Sequence, residues 1–129
     1  MKRVLIADDE PIERMIVSRT IEKYFSEELT VVSAANGREA VEQFFAGDCQ
    51  IALLDIEMPG MNGLEAAEQI RKRDKNCSII FLTAFDEFNY AKRAIVVRAM
   101  EYLLKPVEDQ ELVAVLEEAV RIAEEQETD

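Results

Sequence analysis

Histidine is absent from this sequence, and its absence removes several kinds of chemistry at the outset. The 129 residues contain no histidine and no tryptophan. Without an imidazole the chain has no histidine general base, no histidine metal ligand and no phosphohistidine of its own. Carboxylates, amines and hydroxyls are left to build a reactive site.

Cysteine is scarce as well. Cys49 and Cys77 lie far apart and form no Cys-x-x-Cys pair. Neither a zinc site built on paired thiols nor a dithiol redox motif is therefore indicated. We expect two reduced, partly buried thiols in a cytosolic protein.

Long apolar runs are also missing. Behind Met1-Lys2-Arg3 the first apolar run ends at Ala7, which is too short for a signal peptide or a membrane span. We therefore expect a soluble domain located in the cytoplasm, with no membrane partner.

Positive charge is in short supply. Fifteen basic residues face 27 acidic ones, which gives a formal net charge of −12. A chain this acidic repels the phosphate backbone of nucleic acids, so we expect no direct nucleic acid contact by this domain. The same charge suits a partner with a basic face, or a site that holds a cation.

Short apolar runs alternate with longer amphipathic segments five times along the chain. Apolar runs without polar alternation are typical of strands that are buried on both faces of a parallel sheet. The five runs occupy residues 4–7, 30–34, 51–54, 78–82 and 102–104.

The segments between the runs have the 3.6-residue period of helices. The last segment is the clearest, and its apolar face consists of Leu112, Leu116, Ala119, Val120 and Ala123. Four earlier helices are predicted at about 11–25, 37–46, 63–73 and 86–98.

Strict alternation of strands and helices favours an α/β fold with a doubly wound parallel sheet. We predict five helices around a five-stranded sheet of flavodoxin-like strand order 2-1-3-4-5. Residues 1–125 would form this domain. Residues 126–129 would be a polar tail, or the start of a linker to an output domain absent from this chain, and we expect fraying from residue 124.

Reactive side chains follow four of the five predicted strands. Asp8 and Asp9 follow the first, Asp55 the third, Thr83 the fourth and Lys105 the fifth. Because ligands of doubly wound sheets bind beyond the carboxyl ends of the strands, these side chains should converge. Each has a plainer explanation alone. Asp8 or Asp9 could cap the first helix, and Asp55 could lie in a turn. Thr83 could begin a helix, and Lys105 could be solvated. The joint occurrence favours a site.

The convergence has a chemical logic. Three carboxylates repel one another unless a cation lies among them, and a hard, oxygen-seeking ion such as Mg²⁺ fits. Such a cation can neutralise a phosphoryl group during its transfer to a carboxylate. Lys105 would bind one phosphoryl oxygen and the hydroxyl of Thr83 another. The sequence has no glycine-rich phosphate loop, so the donor must bring the activated phosphate.

At this point the sequence resembles the receiver domains of two-component response regulators over essentially its whole length. The matching motifs are the pair Asp8-Asp9, Asp55 followed by Met58-Pro59-Gly60-Met61-Asn62-Gly63, the pair Thr83-Ala84, the pair Lys105-Pro106, and Tyr102 three residues before the lysine. Together these motifs are highly specific, although no single one of them is.

The resemblance implies a role for each matching residue. Asp55 would be the phosphoacceptor, and a sensor histidine kinase would donate the phosphoryl group from a phosphohistidine. Mg²⁺ would be bound directly by Asp9 and Asp55, through a water by Asp8, and by the main-chain carbonyl of Glu57. Lys105 would contact the phosphoryl group, and its bond to the next proline is usually cis in this family.

The resemblance also implies a switch. Thr83 would move toward the phosphoryl group on Asp55, and Tyr102 would turn from an exposed to a buried rotamer. The face formed by the fourth helix, fifth strand and fifth helix would change as a result. We expect it to support a phosphorylation-dependent homodimer or other partner. Hydrolysis of the acyl phosphate would be gated by Glu57, which can orient a water, and by Phe85, which can exclude one.

A finer resemblance concerns the segments 85–91 and 102–106. They are similar to receivers attached to AraC-type helix-turn-helix domains, which implies control of transcription through a further domain. The chain would then be a signalling switch that catalyses its own phosphorylation and dephosphorylation.

Three other functions are weighed against this one. A phosphohydrolase of the haloacid-dehalogenase kind would need an Asp-x-Asp motif after the first strand, but Asp8 and Asp9 are adjacent. A flavodoxin-like FMN carrier would need a phosphate loop rich in serine, threonine and glycine there. An interaction module independent of phosphorylation would normally have a damaged pocket, and this one is intact.

Overall fold

The computed structural model describes residues 1–127 and places a parallel sheet between two layers of helices. The strands are β1 (Lys2–Ala7), β2 (Leu29–Ala34), β3 (Ile51–Asp55), β4 (Ser78–Thr83) and β5 (Glu101–Leu104). The helices are α1 (Pro11–Phe25), α2 (Gly37–Ala46), α3 (Gly63–Arg73), α4 (Phe88–Val96) and α5 (Asp109–Glu127).

The strand order is β2-β1-β3-β4-β5, with every neighbouring pair parallel, which confirms the predicted topology. In this register Ala7 lies beside Leu54, and Thr83 lies beside Leu104. The residues that follow β1, β3 and β5 therefore emerge at one edge, at the point where strand order reverses.

Apolar side chains fill both faces of the sheet. On one face Leu5, Leu54 and Phe81 pack with the buried residues of α2 and α3. On the other, Ile6 and Leu53 pack with the buried residues of α1 and α5. The continuous apolar strands noted in the sequence thus bury side chains in both directions, as expected for a covered parallel sheet.

Asparagine side chains cap the starts of two helices. The side chain of Asn36 accepts a hydrogen bond from the backbone N–H of Glu39 at 2.8 Å and caps α2. Asn62 and Glu65 form a reciprocal capping box at the start of α3.

Two plainer explanations for reactive residues are wrong. The N-cap of α1 is Glu10, so neither Asp8 nor Asp9 caps that helix. Helix α4 begins at Phe88, two residues after the predicted start, with Glu87 as a cap residue that makes no side-chain bond. Thr83 lies five residues before Phe88 and therefore does not begin α4.

The carboxyl-terminal helix is longer than its apolar stripe suggested. Helix α5 continues to Glu127, so the fraying expected from residue 124 does not occur over the described part. The side chain of Gln126 donates to the carbonyl of Asn76, and Glu127 pairs with Lys2. The rest of the predicted tail, residues 128 and 129, lies outside the described residues.

The remaining expectations concern cysteine and membranes. Cys49 and Cys77 are both free and buried, as predicted. Over residues 1–127, no helix has the combination of length and hydropathy that crossing a bilayer requires.

Candidate functional site

Three carboxylates meet at the carboxyl edge of the sheet. Each of Asp8, Asp9 and Asp55 offers an oxygen that lies within 4.8 Å of the oxygens of the other two. Asp8 is buried, the side chain of Asp55 is 11% exposed, and Asp9 is open to solvent. The predicted cluster is thus present, with one member accessible and two recessed.

One cation lies among these carboxylates. The ammonium of Lys105 donates to Asp8 Oδ2 at 2.9 Å and lies 3.8 Å from Asp55 Oδ2. Burial disfavours the charge of Lys105, but the hydrogen bond to Asp8 and the negative charges of Asp55 and Asp8 outweigh burial and raise its pKa. Lys105 is held charged and close to Asp55, and its bond to Pro106 is cis as expected.

The recessed position of Asp55 raises the pKa of its carboxyl group. Burial raises its pKa from 3.8 to about 6, and the charges of Asp8 and Asp9 act in the same direction. Lys105 and the backbone N–H of Ile56 oppose the shift without cancelling it. At pH 7 the carboxylate is still mostly ionised, so it is available as a nucleophile.

The loop after β4 is held by a chain of hydrogen bonds. The fully buried hydroxyl of Thr83 accepts from the backbone N–H of Phe85 at 3.1 Å. The hydroxyl of Tyr102 donates to the carbonyl of Phe85 at 2.8 Å, and its ring lies against Phe81. Phe85 is thus fixed at both main-chain polar groups, and the hydroxyl proton of Thr83 remains available for a further acceptor.

Tyr102 is already half-buried in this structure. From the sequence we expected an exposed rotamer before phosphorylation. The contact with Phe85 gives the ring an intermediate position, because its hydroxyl reaches the loop while its edge meets the core.

A contact that the sequence did not suggest joins Glu57 to α4. The hydroxyl of Tyr90 donates a hydrogen bond to Glu57 Oε2. This bond raises the pKa of Tyr90 to about 12, since the adjacent carboxylate favours the protonated phenol. Thirty-three residues separate the partners, and no local motif connects them.

A second unexpected contact stabilises the turn that carries the acidic pair. Arg14 donates to the main-chain carbonyl of Asp8 at 2.6 Å, and Asp8 Oδ1 accepts from the backbone N–H of Glu10 at 3.0 Å. Asp8 therefore folds its own turn while its other oxygen faces Lys105. An arginine one turn into a helix is a weak signal, and nothing in the sequence singled it out.

A glycine sets the position of Asp55. A Cβ atom at Gly63 would lie 2.0 Å from the carbonyl oxygen of Asp55, which leaves no room for any other residue. The backbone N–H of Gly63 donates to the carbonyl of Ile56 at 2.9 Å. The start of α3 is thus packed directly against the end of β3. The turn between them passes through Gly60, whose φ of +72° suits glycine.

The donor set fits a hard divalent cation. Carboxylate oxygens from Asp8, Asp9 and Asp55 converge with one ammonium nearby, so the site carries excess negative charge. Within residues 1–127 the main-chain carbonyl of Glu57 accepts no hydrogen bond, and it is therefore free to act as a further oxygen ligand. These are the ligand types that Mg²⁺ selects.

Comparison with known proteins agrees with this geometry. The model of the response regulator receiver domain family matches residues 4–117. The positive alginate biosynthesis regulatory protein of Pseudomonas aeruginosa is 40% identical over 118 residues, which cover 92% of this chain and 47% of that protein. The chain therefore spans about half of that relative's length.

Two further proteins match over nearly their full length. The chemotaxis protein CheY of Thermotoga maritima is 37% identical over 115 residues, which cover 89% of this chain and 94% of that protein. The response regulator TrrA of Thermotoga maritima, solved in complex with Mg²⁺ and BeF, superposes with a TM-score of 0.79. It is 38% identical and covers 92% of this chain and 99% of its own. On fold, on site geometry and on these likenesses, the chain belongs to the family of response regulator receiver domains.

Proposed function

We propose that this domain accepts a phosphoryl group on Asp55 from a phosphohistidine of a sensor histidine kinase. One observation carries the proposal: Asp55 lies at the carboxyl edge of the sheet with Asp8, Asp9 and Lys105 around it. The crowded, recessed carboxylates raise the free-energy cost of the negative charge on Asp55. A cation and the ammonium of Lys105, both bound to the transferred phosphoryl group, would lower that cost.

The transfer step requires one bond to form and one to break. A carboxylate oxygen of Asp55 bonds to phosphorus as the phosphorus–nitrogen bond of the donor breaks, and the electron pair stays with the imidazole nitrogen. Lys105 is placed to bind a phosphoryl oxygen, because its ammonium already lies 3.8 Å from Asp55 Oδ2. The chain holds the acceptor and the positive charge, and the donor supplies the activated group.

Asp8, Asp9, Asp55 and the main-chain carbonyl of Glu57 would hold Mg²⁺. When bound, this ion supplies positive charge that offsets the charge of the phosphoryl oxygens. Lys105 would share this task, with Asp8 holding its ammonium in place.

The bond between Thr83 and Phe85 supports the switch we propose. When the hydroxyl of Thr83 donates to a phosphoryl oxygen, its contact with the N–H of Phe85 changes, and the loop follows. Tyr102 is tied to the carbonyl of the same residue, so it completes its turn into the core. The differential contact of Thr83 provides the free energy for this shift.

The switch predicts that Thr83→Ala still accepts the phosphoryl group but loses most of the change on the α4-β5-α5 face. NMR spectra recorded with and without phosphorylation measure that change through the backbone shifts of α4 and β5. Shift changes in the mutant as large as in the wild type would contradict the mechanism.

The α4-β5-α5 face has the character of an interaction surface. Phe88, Ile95 and Val96 on α4 are each more than 70% exposed, and Leu104 of β5 is partly exposed. Apolar groups clustered in this way are typical of docking sites. We propose that a second copy of the domain, or an output domain that controls transcription, occupies it on phosphorylation. Free, buried cysteines suit the reducing cytoplasm as the place of action.

Intact-mass measurement after incubation with acetyl phosphate and Mg²⁺ tests the acceptor. The wild type should gain the mass of one phosphoryl group, which hydroxylamine should remove. Asp55→Asn should gain none. A wild type that stays unlabelled, or an Asp55→Asn variant that labels equally, would overturn the proposal.

The same samples separate the domain from a phosphatase. A generic phosphatase substrate should show no sustained turnover, because the acceptor holds its phosphoryl group between slow hydrolysis events. Uptake of the label from acetyl phosphate would demonstrate that the domain catalyses its own phosphorylation. Slow loss of the label in buffer would demonstrate its own dephosphorylation.

A further inference from the structure

Glu57 is the exposed acidic side chain nearest in sequence to the acceptor, and its carboxylate is tied to a different helix. It lies two residues beyond Asp55, outside β3. In the described chain its side chain has one hydrogen-bond partner, the hydroxyl of Tyr90 on α4. The bond therefore orients Glu57 toward α4.

Tyr90 is fixed firmly enough to hold this bond. Its ring is half-buried and packs against the core cluster on the α3 side of the sheet. Arg93, three residues further along α4, donates to Glu68 of α3 at 3.1 Å. Helix α4 thus contacts α3 one turn beyond Tyr90, and this contact and the packing of the ring favour one position of the hydroxyl.

A carboxylate in this position could serve hydrolysis if it were free. Hydrolysis of the acyl phosphate forms a bond from a water oxygen to phosphorus and breaks the bond from phosphorus to Asp55. The products are the Asp55 carboxylate and dihydrogen phosphate, which carries both protons of the water. A carboxylate that accepts a hydrogen bond from this water would orient it for attack.

We propose, building on the function proposed above, that Tyr90 is a positioning residue that prolongs the phosphorylated state by keeping the Glu57 carboxylate on α4 and away from the attacking water. The hydroxyl of Tyr90 donates its hydrogen bond to Glu57 Oε2, so this oxygen is not free to bind the water. Helix α4 thereby sets the lifetime of the phosphoryl group as well as forming part of the interaction face.

The test compares the decay of the labelled domain in four proteins: the wild type, Tyr90→Phe, Glu57→Ala and the double variant. Tyr90→Phe keeps the ring and its packing and removes the hydroxyl alone. It should lose phosphate on the order of threefold to tenfold faster than the wild type. Glu57→Ala keeps the main-chain carbonyl and removes the carboxylate, so it sets the decay rate against which the double variant is read. The double variant should match Glu57→Ala, because no carboxylate is left to release.

Tyr24→Phe is the matched control. Tyr24 lies exposed on α1 and its hydroxyl makes no described contact with the site. It should leave the decay rate unchanged. Melting curves of all variants should agree with the wild type within ~2 °C, which excludes loosening of the fold as the cause.

A second measurement reads the contact without any phosphoryl group. In the metal-free domain the NMR resonances of the Tyr90 ring should shift in Glu57→Ala and stay unchanged in Glu22→Ala, a variant of an exposed glutamate on α1. Unshifted Tyr90 resonances in Glu57→Ala would overturn the inference.

The kinetic outcomes divide cleanly. A wild type that labels, together with a Tyr90→Phe variant that decays no faster, overturns this inference alone. Faster decay of Tyr90→Phe that persists undiminished in the Glu57→Ala background also overturns it, since the effect would then not pass through Glu57. A wild type that takes up no phosphoryl group overturns the proposed function and this inference together.

Discussion

Each edge of the sheet holds a cation, buried in the case of Arg71 and half-buried in the case of Lys105, and the two edges surround it in opposite ways. At the amino edge Arg71 is 8% exposed and donates to the carbonyls of Val97 and Cys77 at 2.8 Å, with longer bonds to those of Asp74 and Arg98. At the carboxyl edge Lys105 lies among carboxylates that repel one another.

The difference separates stability from function. The guanidinium of Arg71 donates hydrogen bonds to neutral main-chain carbonyls near the ends of α3 and α4. These bonds stabilise its charge without a further ligand. The carboxyl edge has more negative charge than Lys105 can neutralise, so we expect a bound cation to stabilise it. The charge at the amino edge is therefore balanced within the folded domain, whereas the carboxyl edge would be balanced by a bound cation.

Removal of the cation at the amino edge should have the largest effect. Arg71→Met leaves the carbonyls of Val97 and Cys77 without their buried donor, and we expect a loss of about 3 kcal/mol in the free energy of unfolding. Urea denaturation measures it. Lys72→Met, at the exposed neighbouring position, should change stability by less than about 0.5 kcal/mol. A loss for Arg71→Met no greater than that for Lys72→Met would remove the distinction between the edges.

Neutralising the acceptor at the other edge should stabilise the metal-free domain. The folded-state pKa of Asp55 is about 6, above its ordinary 3.8. Between these values the folded chain binds a proton that the unfolded chain has lost, so stability falls as pH rises from about 4 to about 6. Asp55→Asn removes that loss and should be about 2 to 3 kcal/mol more stable at pH 7.

Denaturation of both proteins in EDTA from pH 4 to pH 7 measures this difference. The gain should be small at pH 4 and complete by pH 7. Asp48→Asn, a change at an exposed carboxylate near the amino edge, should show no such trend. A gain for Asp55→Asn that is independent of pH would contradict the origin we assign to it.

A third comparison concerns rates at the carboxyl edge without a change in stability. Phe85 is 45% exposed and lies two residues beyond Thr83. Because its ring can exclude water but cannot orient it, Phe85→Ala should shorten the phosphorylated lifetime about tenfold. Glu57→Ala should change it less. Decay of the labelled proteins, with melting curves as controls, decides the matter, and a normally folded Phe85→Ala that decays at the wild-type rate would refute the shielding role.

The smallest effect is expected at Asp9, which is the most exposed of the three carboxylates. Asp9→Asn relieves part of the repulsion and should raise the melting temperature in EDTA by ~2 to 4 °C. It should also abolish the stabilisation that Mg²⁺ gives the wild type. Thermal melts with and without Mg²⁺ measure both effects. A mutant that melts below the wild type in EDTA would contradict the crowding argument.

Much of this fold was predictable because its signals are local. Continuous apolar runs and the helical period between them predicted the elements, and their alternation predicted the topology. Strand ends then brought Asp55 and Lys105 together without any knowledge of side-chain positions. The start of α4 was the weaker boundary, because Glu87 makes no capping bond that a pattern could mark.

The contacts that escaped prediction join residues distant in sequence. The bond from Tyr90 to Glu57 depends on how α4 lies against the sheet, which a single sequence does not encode as a pattern. Arg71 reads as an ordinary basic residue in the last turn of a helix, yet it is buried among carbonyls. Such placements result from packing, and packing is specified only by the whole chain.

The close approach of Gly63 to Asp55 has a consequence for how sequences of this kind are classified. A methyl group at position 63 would collide with the acceptor's own main chain at 2.0 Å, and neither backbone can yield without moving the other. A homologue with any larger residue there could keep every acidic, basic and hydroxyl group of the site and still hold its acceptor displaced. Genome surveys that sort active from inactive members by the charged residues alone would therefore misassign it, and the hydrogen atom that serves as the side chain of Gly63 belongs among the diagnostic positions.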